Sequence, residues 1–137
     1  MSDFGVTSMT AELRRVAVRP PSTRGNYASA HWAQPVDLAL LVEQHAAFVA
    51  LLRRLGCEVD VLDPVDDMPD GIFTYDPCFV AGSGFIELRG AKSARVAEPV
   101  VLAAELHERG IPRVGRLTGE ATADGGDMFW LDATTLA

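Results

Sequence analysis

The feature that most constrains this chain is a recurrence: a helix that stops at a glycine and turns directly into a short strand, found twice. Over 36–55 the apolar residues Leu38, Leu41, Val42, Phe48, Val49, Leu51, Leu52 and Leu55 recur at spacings of three and four, and Gly56 supplies a stop. Residues 57–62 then alternate apolar and acidic side chains, as a half-buried strand does. A second helix is predicted over 98–109, ends at Gly110, and precedes a candidate strand at 114–117. Shifting the sequence by 54 residues places Gly56 on Gly110, Leu52 on Leu106 and Ala50 on Ala104. A strand-strand-helix-strand unit repeated at a period near 50 points to an α/β propeller-like array, in which each unit buries its apolar face against its neighbours. An ordinary α/β sandwich produces the same local pattern.

The other elements fit around these units. A short strand over 15–19 is stopped by Pro20-Pro21, and a polar, turn-rich segment runs on to Pro35. Residues 63–71, with two prolines and four aspartates, read as loop. Two apolar runs, 78–81 and 85–88, flank Gly82-Ser83-Gly84 and predict a hairpin. A strand is expected at 127–131, followed by a tight turn at Asp132-Ala133-Thr134 and the opening of a further strand at Thr135-Leu136-Ala137. An end in mid-strand reads as a truncated polypeptide, since a natural terminus usually lies past the last packed element.

Composition narrows the functional classes. With 48% hydrophobic and 23% charged residues and a mean hydropathy of +0.12, the 137-residue chain has the balance of a core-forming protein. No run approaches the roughly 20 apolar residues needed to span a bilayer, and no basic-then-apolar stretch opens the chain, so a cytoplasmic location and no membrane partner are the expectation. Acids outnumber bases 19 to 12, which argues against a nucleic-acid partner. The acids are segregated: residues 55–88 hold eight and residues 117–137 four, with no Lys or Arg in either stretch. Such runs are commonly solvated loops; here they also suit a site that attracts a small cation.

The carboxylates that could do this are Asp70 and Asp76, with Phe73 between them, and Asp124 and Asp127, on either side of Gly125-Gly126. A planar guanidinium carries five N–H donors in a fixed fork that carboxylates accept in bidentate fashion, and an aromatic face adds a cation–π contact. Asp70-Gly71 also reads as a plain turn, and Asp127 as a cap for loop amides. Four carboxylates leave a metal site conceivable, but His31, His45 and His107 all lie elsewhere in the sequence, so no metal is assigned. These histidines and both cysteines, Cys57 and Cys78, read as structural.

Three motifs, in order, resemble a known family: Pro-Asp-Gly-Ile-Phe-Thr-Tyr-Asp-Pro (69–77), Arg-Gly-Ala-Lys-Ser-Ala-Arg-Val-Ala-Glu-Pro (89–99) and Asp-Gly-Gly-Asp (124–127). With the helix segment Val-Glu-Gln-His-Ala-Ala-Phe (42–48), they look like the N-terminal part of a dimethylarginine dimethylaminohydrolase, in the arginine deiminase and amidinotransferase superfamily. The resemblance implies a partial five-bladed α/β propeller, pentein-type, spanning 1–137, and a cofactor-free hydrolase. In that family a cysteine attacks the guanidinium carbon, a thiouronium adduct forms, a histidine acts as general acid and base, and water releases a ureido product.

Carried over, Asp76 and Asp124 would grip the guanidinium nitrogens as the catalytic carboxylates. Asp70 would help bind the substrate, Phe73 would line the pocket, Arg95 would face the substrate carboxylate, and Asp127 would shape the site loop. The family's histidine and nucleophilic cysteine have no counterpart here. Tyr75 stands where the family often has an acid, and Val96 where it often has a second arginine, which leaves arginine, methylated arginines and agmatine open as substrates. Whether these 137 residues act as an enzyme on their own is left open. The alternatives are a non-catalytic guanidinium-binding fragment, a fragment that pairs with missing C-terminal modules or with itself, and an amidinotransferase.

Overall fold

A computed structural model describes residues 4–137. The chain divides into two compact units, one made of Val16–Thr74 and one of Tyr75–Ala137 together with the N-terminal residues up to Arg15. In the Val16–Thr74 unit the strand β1 (Arg15–Val18) pairs with β2 (Glu58–Val61), and the helix α1 (Leu38–Arg54) connects them. The helix starts two residues later than the apolar pattern suggests because the Asp37 carboxylate accepts from the Leu40 amide at 3.1 Å, an N-cap that fixes the first turn. Arg53 and Arg54 lie in the last turn, where a cation complements the helix dipole. Val18, Tyr27, Ala30, Val49 and Leu62 form the buried apolar set of this unit. On α1 itself only Val49 is buried, and Leu40, Val42, Phe48 and Leu51 are exposed.

The other unit contains one full strand-strand-helix-strand module. Strand β3 (Cys78–Ala81) and β4 (Gly84–Glu87) form the expected hairpin around Gly82-Ser83, with Ala81 opposite Gly84. Helix α2 (Glu98–Glu108) follows, then β5 (Arg113–Arg116) adds parallel to β4, giving the order β3-β4-β5. Pro99 sits in the first turn of α2, where its missing N–H has no intrahelical partner to lose. Glu98, Leu102 and Leu106, with Pro99 and Ala103, make the buried stripe of α2 at intervals of four. They join Cys78, Phe79, Phe85, Leu88 and Ile111 in the core. Glu87, also buried, accepts from Arg113 at 2.7 Å and from Arg116 at 3.1 Å, so a carboxylate on β4 is neutralised by two arginines of β5.

The recurrence seen in the sequence is a recurrence of helix stops. Gly56 and Gly110 both take the left-handed conformation, with φ of 93° and 79°. In both places the next amide closes back on the helix at 3.0 Å, Cys57 to the Leu52 carbonyl and Ile111 to the Leu106 carbonyl. A side chain at either glycine would strain that turn, so the stop is written in the residue type.

Two differences from the sequence reading stand out. The two sheets are separate and open among the described residues, so the structure gives an α/β fold without a closed propeller. The strand expected at 127–131 is shortened: Asp127 belongs to a 3-10 turn, Gly125–Asp127, closed by its own side chains, and the pairing begins at Phe129. Beyond it Trp130 bridges Leu136, and Phe129 and Ala137 exchange hydrogen bonds of 2.8 and 2.9 Å, so the expected turn and returning strand survive as a short ladder. No helix among the described residues is long and apolar enough to cross a membrane.

Phe85, 1% exposed, is among the largest fully buried side chains. Replacing Phe85 by Ala should destabilise the chain by about 3–5 kcal/mol, read as a fall in the urea midpoint with the slope unchanged.

Candidate functional site

The Asp124–Asp127 turn is built by its own sequence. The Asp124 side chain accepts from the Asp127 amide, and Asp127 Oδ2 accepts from the Asp124 amide at 3.2 Å, a reciprocal cap with an acid at each end. The Gly125 amide donates to the Asp76 carbonyl at 3.0 Å, which joins this turn to the segment before β3. A Cβ on Gly125 would collide with the Tyr75 carbonyl, so only glycine permits that approach. Gly90 does the same on the other side: a Cβ there would lie 2.7 Å from Asp124 Oδ1. The result is that Asp76 and Asp124, 48 positions apart in the sequence, share one locality.

Their proximity has an electrostatic signature. The Asp124 carboxyl is pushed above its ordinary value of 3.8, first by burial and next by the charge of Asp76, with Asp127 adding to it and Arg95 and Lys92 opposing. A cation entering here would relieve that repulsion.

Arg95 lies at the end of a 3-10 turn, Ser93–Arg95, and is buried. Its Nη1 donates to Asp76 Oδ2 at 2.6 Å, while Nε and Nη2 donate to Glu98 Oε2 at 2.9 and 2.7 Å. Burial alone would lower its pKa, but the hydrogen bonds and charges of Glu98 and Asp76 outweigh that and hold it above the usual guanidinium value. The sequence reading aimed Arg95 at a substrate carboxylate; the structure engages it with two carboxylates of the chain itself. Glu98 was passed over as a helix start. Its spacing of three from Arg95 at the head of α2 was the available signal.

Asp70 and Phe73 fall in the Val16–Thr74 unit. A short 3-10 turn, Pro69–Ile72, carries Asp70, which is 3% exposed, and Oδ1 accepts from the Trp32 indole at 2.7 Å. The Trp32 ring stands 5.0 Å from Tyr27, edge-on, and 6.2 Å from Phe73, tilted by 30°. Phe73 itself is 46% exposed. Trp32 is a second residue that the sequence reading missed, because its indole reaches an acid 38 positions away. Thus the structure gathers Asp76, Arg95, Asp124 and Asp127 in one unit, and Asp70 with Phe73 in the other.

Cys78 is no nucleophile in this setting. Burial, then the charge of Glu87, pushes its thiol up to about 12, against one lowering hydrogen bond from the Leu88 backbone. No group of three or more His, Cys, Asp or Glu side chains among the described residues is arranged to hold a metal ion.

No family model matches the chain. Among curated proteins it is 28% identical over 102 residues to the N(G),N(G)-dimethylarginine dimethylaminohydrolase of Pseudomonas aeruginosa. It is 30% identical over 105 residues to the enzyme of the same name from Streptomyces coelicolor. Each match covers 74% of this chain and 39% of the relative, so the chain spans about two fifths of the length of these proteins. Among solved structures, a dimethylarginine dimethylaminohydrolase adduct with 4-chloro-2-hydroxymethylpyridine superposes with a TM-score of 0.73 at 24% identity, over 85% of this chain and 45% of that one. A mutant of the Pseudomonas aeruginosa enzyme in complex with citrulline gives 0.73 at 22%, over 86% and 47%. The N-terminal domain of a cyanobacterial arginine dihydrolase gives 0.68 at 19%, over 81% and 42%. The fold is therefore that of the enzymes grouped around arginine dihydrolases and dimethylarginine dimethylaminohydrolases. Within that group the sequence is like the latter: the chain resembles dimethylarginine dimethylaminohydrolases over part of its relatives' length.

Two measurements check this electrostatic picture. Ellman's reagent at pH 8 should modify Cys57, which is partly exposed, and leave Cys78 unreacted until the chain is denatured. Because the Asp124 pKa is raised on folding, its stabilising contribution is fully present below pH 3.8 and is lost as the pH rises through the folded value. Asp124→Asn keeps the capping oxygen but removes that loss, so its Tm relative to the parent chain should be higher at pH 7 than at pH 3.

Proposed function

We propose that this chain supplies the guanidinium-gripping carboxylates of a dimethylargininase-like hydrolase, which cleaves a C–N bond of arginine or a methylated arginine to leave a ureido product. The observation that carries the reading is the convergence of Asp76 and Asp124 through the Gly125 amide, with the Asp124 carboxyl pushed up by burial and then by its acidic neighbour. Asp76 has one oxygen engaged by Arg95, and its other oxygen, Oδ1, lies 3.7 Å from where a Cβ on Gly126 would stand. Two carboxylates at neighbouring points suit the edge of a planar guanidinium, whose N–H groups they accept while its carbon stays open to attack. Asp127 keeps the loop in shape through its contact with the Asp124 amide.

The chemistry follows from the resemblance. A cysteine thiolate adds to the guanidinium carbon and the C–N bond breaks as the amine leaves with a proton from a histidine. The thiouronium carbon is then attacked by water, which the same histidine deprotonates, and the thiolate is expelled as the ureido product forms. Cys78 is buried with its thiol pushed up, and neither it nor Cys57 stands at the position of the family's nucleophile, so this reading draws the cysteine and the histidine from outside these 137 residues. The same reading places the β3-β4-α2-β5 module as one blade of a five-bladed propeller.

Isothermal calorimetry with L-arginine and with asymmetric dimethyl-L-arginine tests the binding part directly. Binding is expected in the millimolar range for the parent chain, at least tenfold weaker in Asp76→Asn and in Asp124→Asn, and weaker in all as salt rises. No heat at millimolar ligand, or an affinity unchanged from the parent in either variant, overturns the proposal.

A further inference from the structure

Glu98 is 4% exposed and belongs to none of the acidic stretches that drew attention in the sequence. A carboxylate this deep is stable only if its charge is met, and the partner it meets is the Arg95 guanidinium, through two donors at 2.9 and 2.7 Å. Those two contacts fix the plane of the guanidinium, because Nε and Nη2 lie on one edge of a rigid group. With that edge held, Nη1 on the other side has a set direction, and it points to Asp76 Oδ2 at 2.6 Å. At least three of the five guanidinium donors are thus committed within the chain. Glu98 is in turn anchored, since it opens the buried stripe of α2 with Leu102 and Leu106 behind it, and the N-terminal end of a helix favours a carboxylate.

We propose that Glu98 is a positioning residue for the guanidinium-binding carboxylates: it holds Arg95, and Arg95 sets the orientation of the Asp76 carboxylate so that one oxygen is left for a ligand. This rests on the reading of Asp76 and Asp124 as guanidinium binders. It assigns Arg95 a role through Asp76. The electrostatics agree. Arg95 offsets one acid of the locality, while Asp124 remains pushed up by burial and by Asp76, so the clamp orders the site without cancelling its pull on a cation.

The test uses the 137-residue chain labelled with 15N and 13C. In the parent protein, couplings across the hydrogen bonds from Arg95 Nε to the Glu98 carboxyl and from Arg95 Nη1 to the Asp76 carboxyl should be observable. In Glu98→Gln the Arg95 to Asp76 coupling should disappear and the Kd for L-arginine should rise about tenfold, with amide exchange on β3 and β4 unchanged. A purely structural role would lower protection across the sheet and leave the coupling in place. If Glu98→Gln does not fold, Arg95→Lys provides the second arm: it keeps the charge, cannot span both acids in the same way, and should weaken L-arginine to a similar degree. An Arg95 to Asp76 coupling that persists in Glu98→Gln, or an Arg95→Lys chain that binds as tightly as the parent, overturns the proposal. If the parent chain binds no L-arginine while its Arg95 to Asp76 coupling depends on Glu98, the clamp stands and the guanidinium-binding reading falls.

Discussion

The unit that runs from Tyr75 to Ala137 depends on how a few buried charges are satisfied. Asp76, Arg95 and Glu98 form a chain of charge-assisted hydrogen bonds of 2.6 to 2.9 Å, in which the buried Glu98 carboxylate and the buried Arg95 guanidinium meet each other and Arg95 reaches on to the half-buried Asp76. That requirement ties three separate elements together: the segment before β3, the turn before α2, and α2 itself. Glu87 repeats the solution on β4, where Arg113 and Arg116 meet a carboxylate that is as buried as the neighbouring apolar core. In this unit arginine serves as an internal counter-ion, which its planar fork of donors suits better than a lysine ammonium would.

Glycine makes the second acid reachable. The Asp124 turn can approach Asp76 only because Gly125 offers a bare backbone face to the Tyr75 carbonyl, and Gly90 leaves room for the Asp124 carboxylate, whose Oδ1 would lie 2.7 Å from a Cβ there. Two acids are thereby brought together, and the Asp124 pKa is displaced upward, first by burial and next by the charge of Asp76. The Val16–Thr74 unit treats its acid differently: Asp70 meets an indole N–H within a group of aromatic rings.

Much of the fold was legible. The helical period of 36–55, the glycine stops at 56 and 110 and the hairpin at Gly82-Ser83 are local signals, and each became the element expected. The strand expected at 127–131 starts later than the pattern suggests, since the reciprocal cap between Asp124 and Asp127 holds residue 127 in a turn and the ladder begins at Phe129. For the candidate site, Asp76, Asp124 and Asp127 were readable as carboxylates flanking glycines. Glu98 had only its spacing of three from Arg95 to mark it, and Trp32 had no local signal, because its indole reaches an acid 38 positions away.

Taken alone, the sequence determined the elements, their order, the acidic character of two segments and the likeness to dimethylarginine dimethylaminohydrolases, since all of these follow from residue type at short spacing. Only the tertiary structure decided which acids meet, that Arg95 is spoken for by Asp76 and Glu98, and that Cys78 is sealed in the core with its thiol pushed up to about 12. The physical reason is that charge pairing and desolvation depend on distances of a few ångströms between residues up to 48 positions apart. No local pattern encodes those distances; the packing of α2 on its sheet and the bare face of two glycines set them.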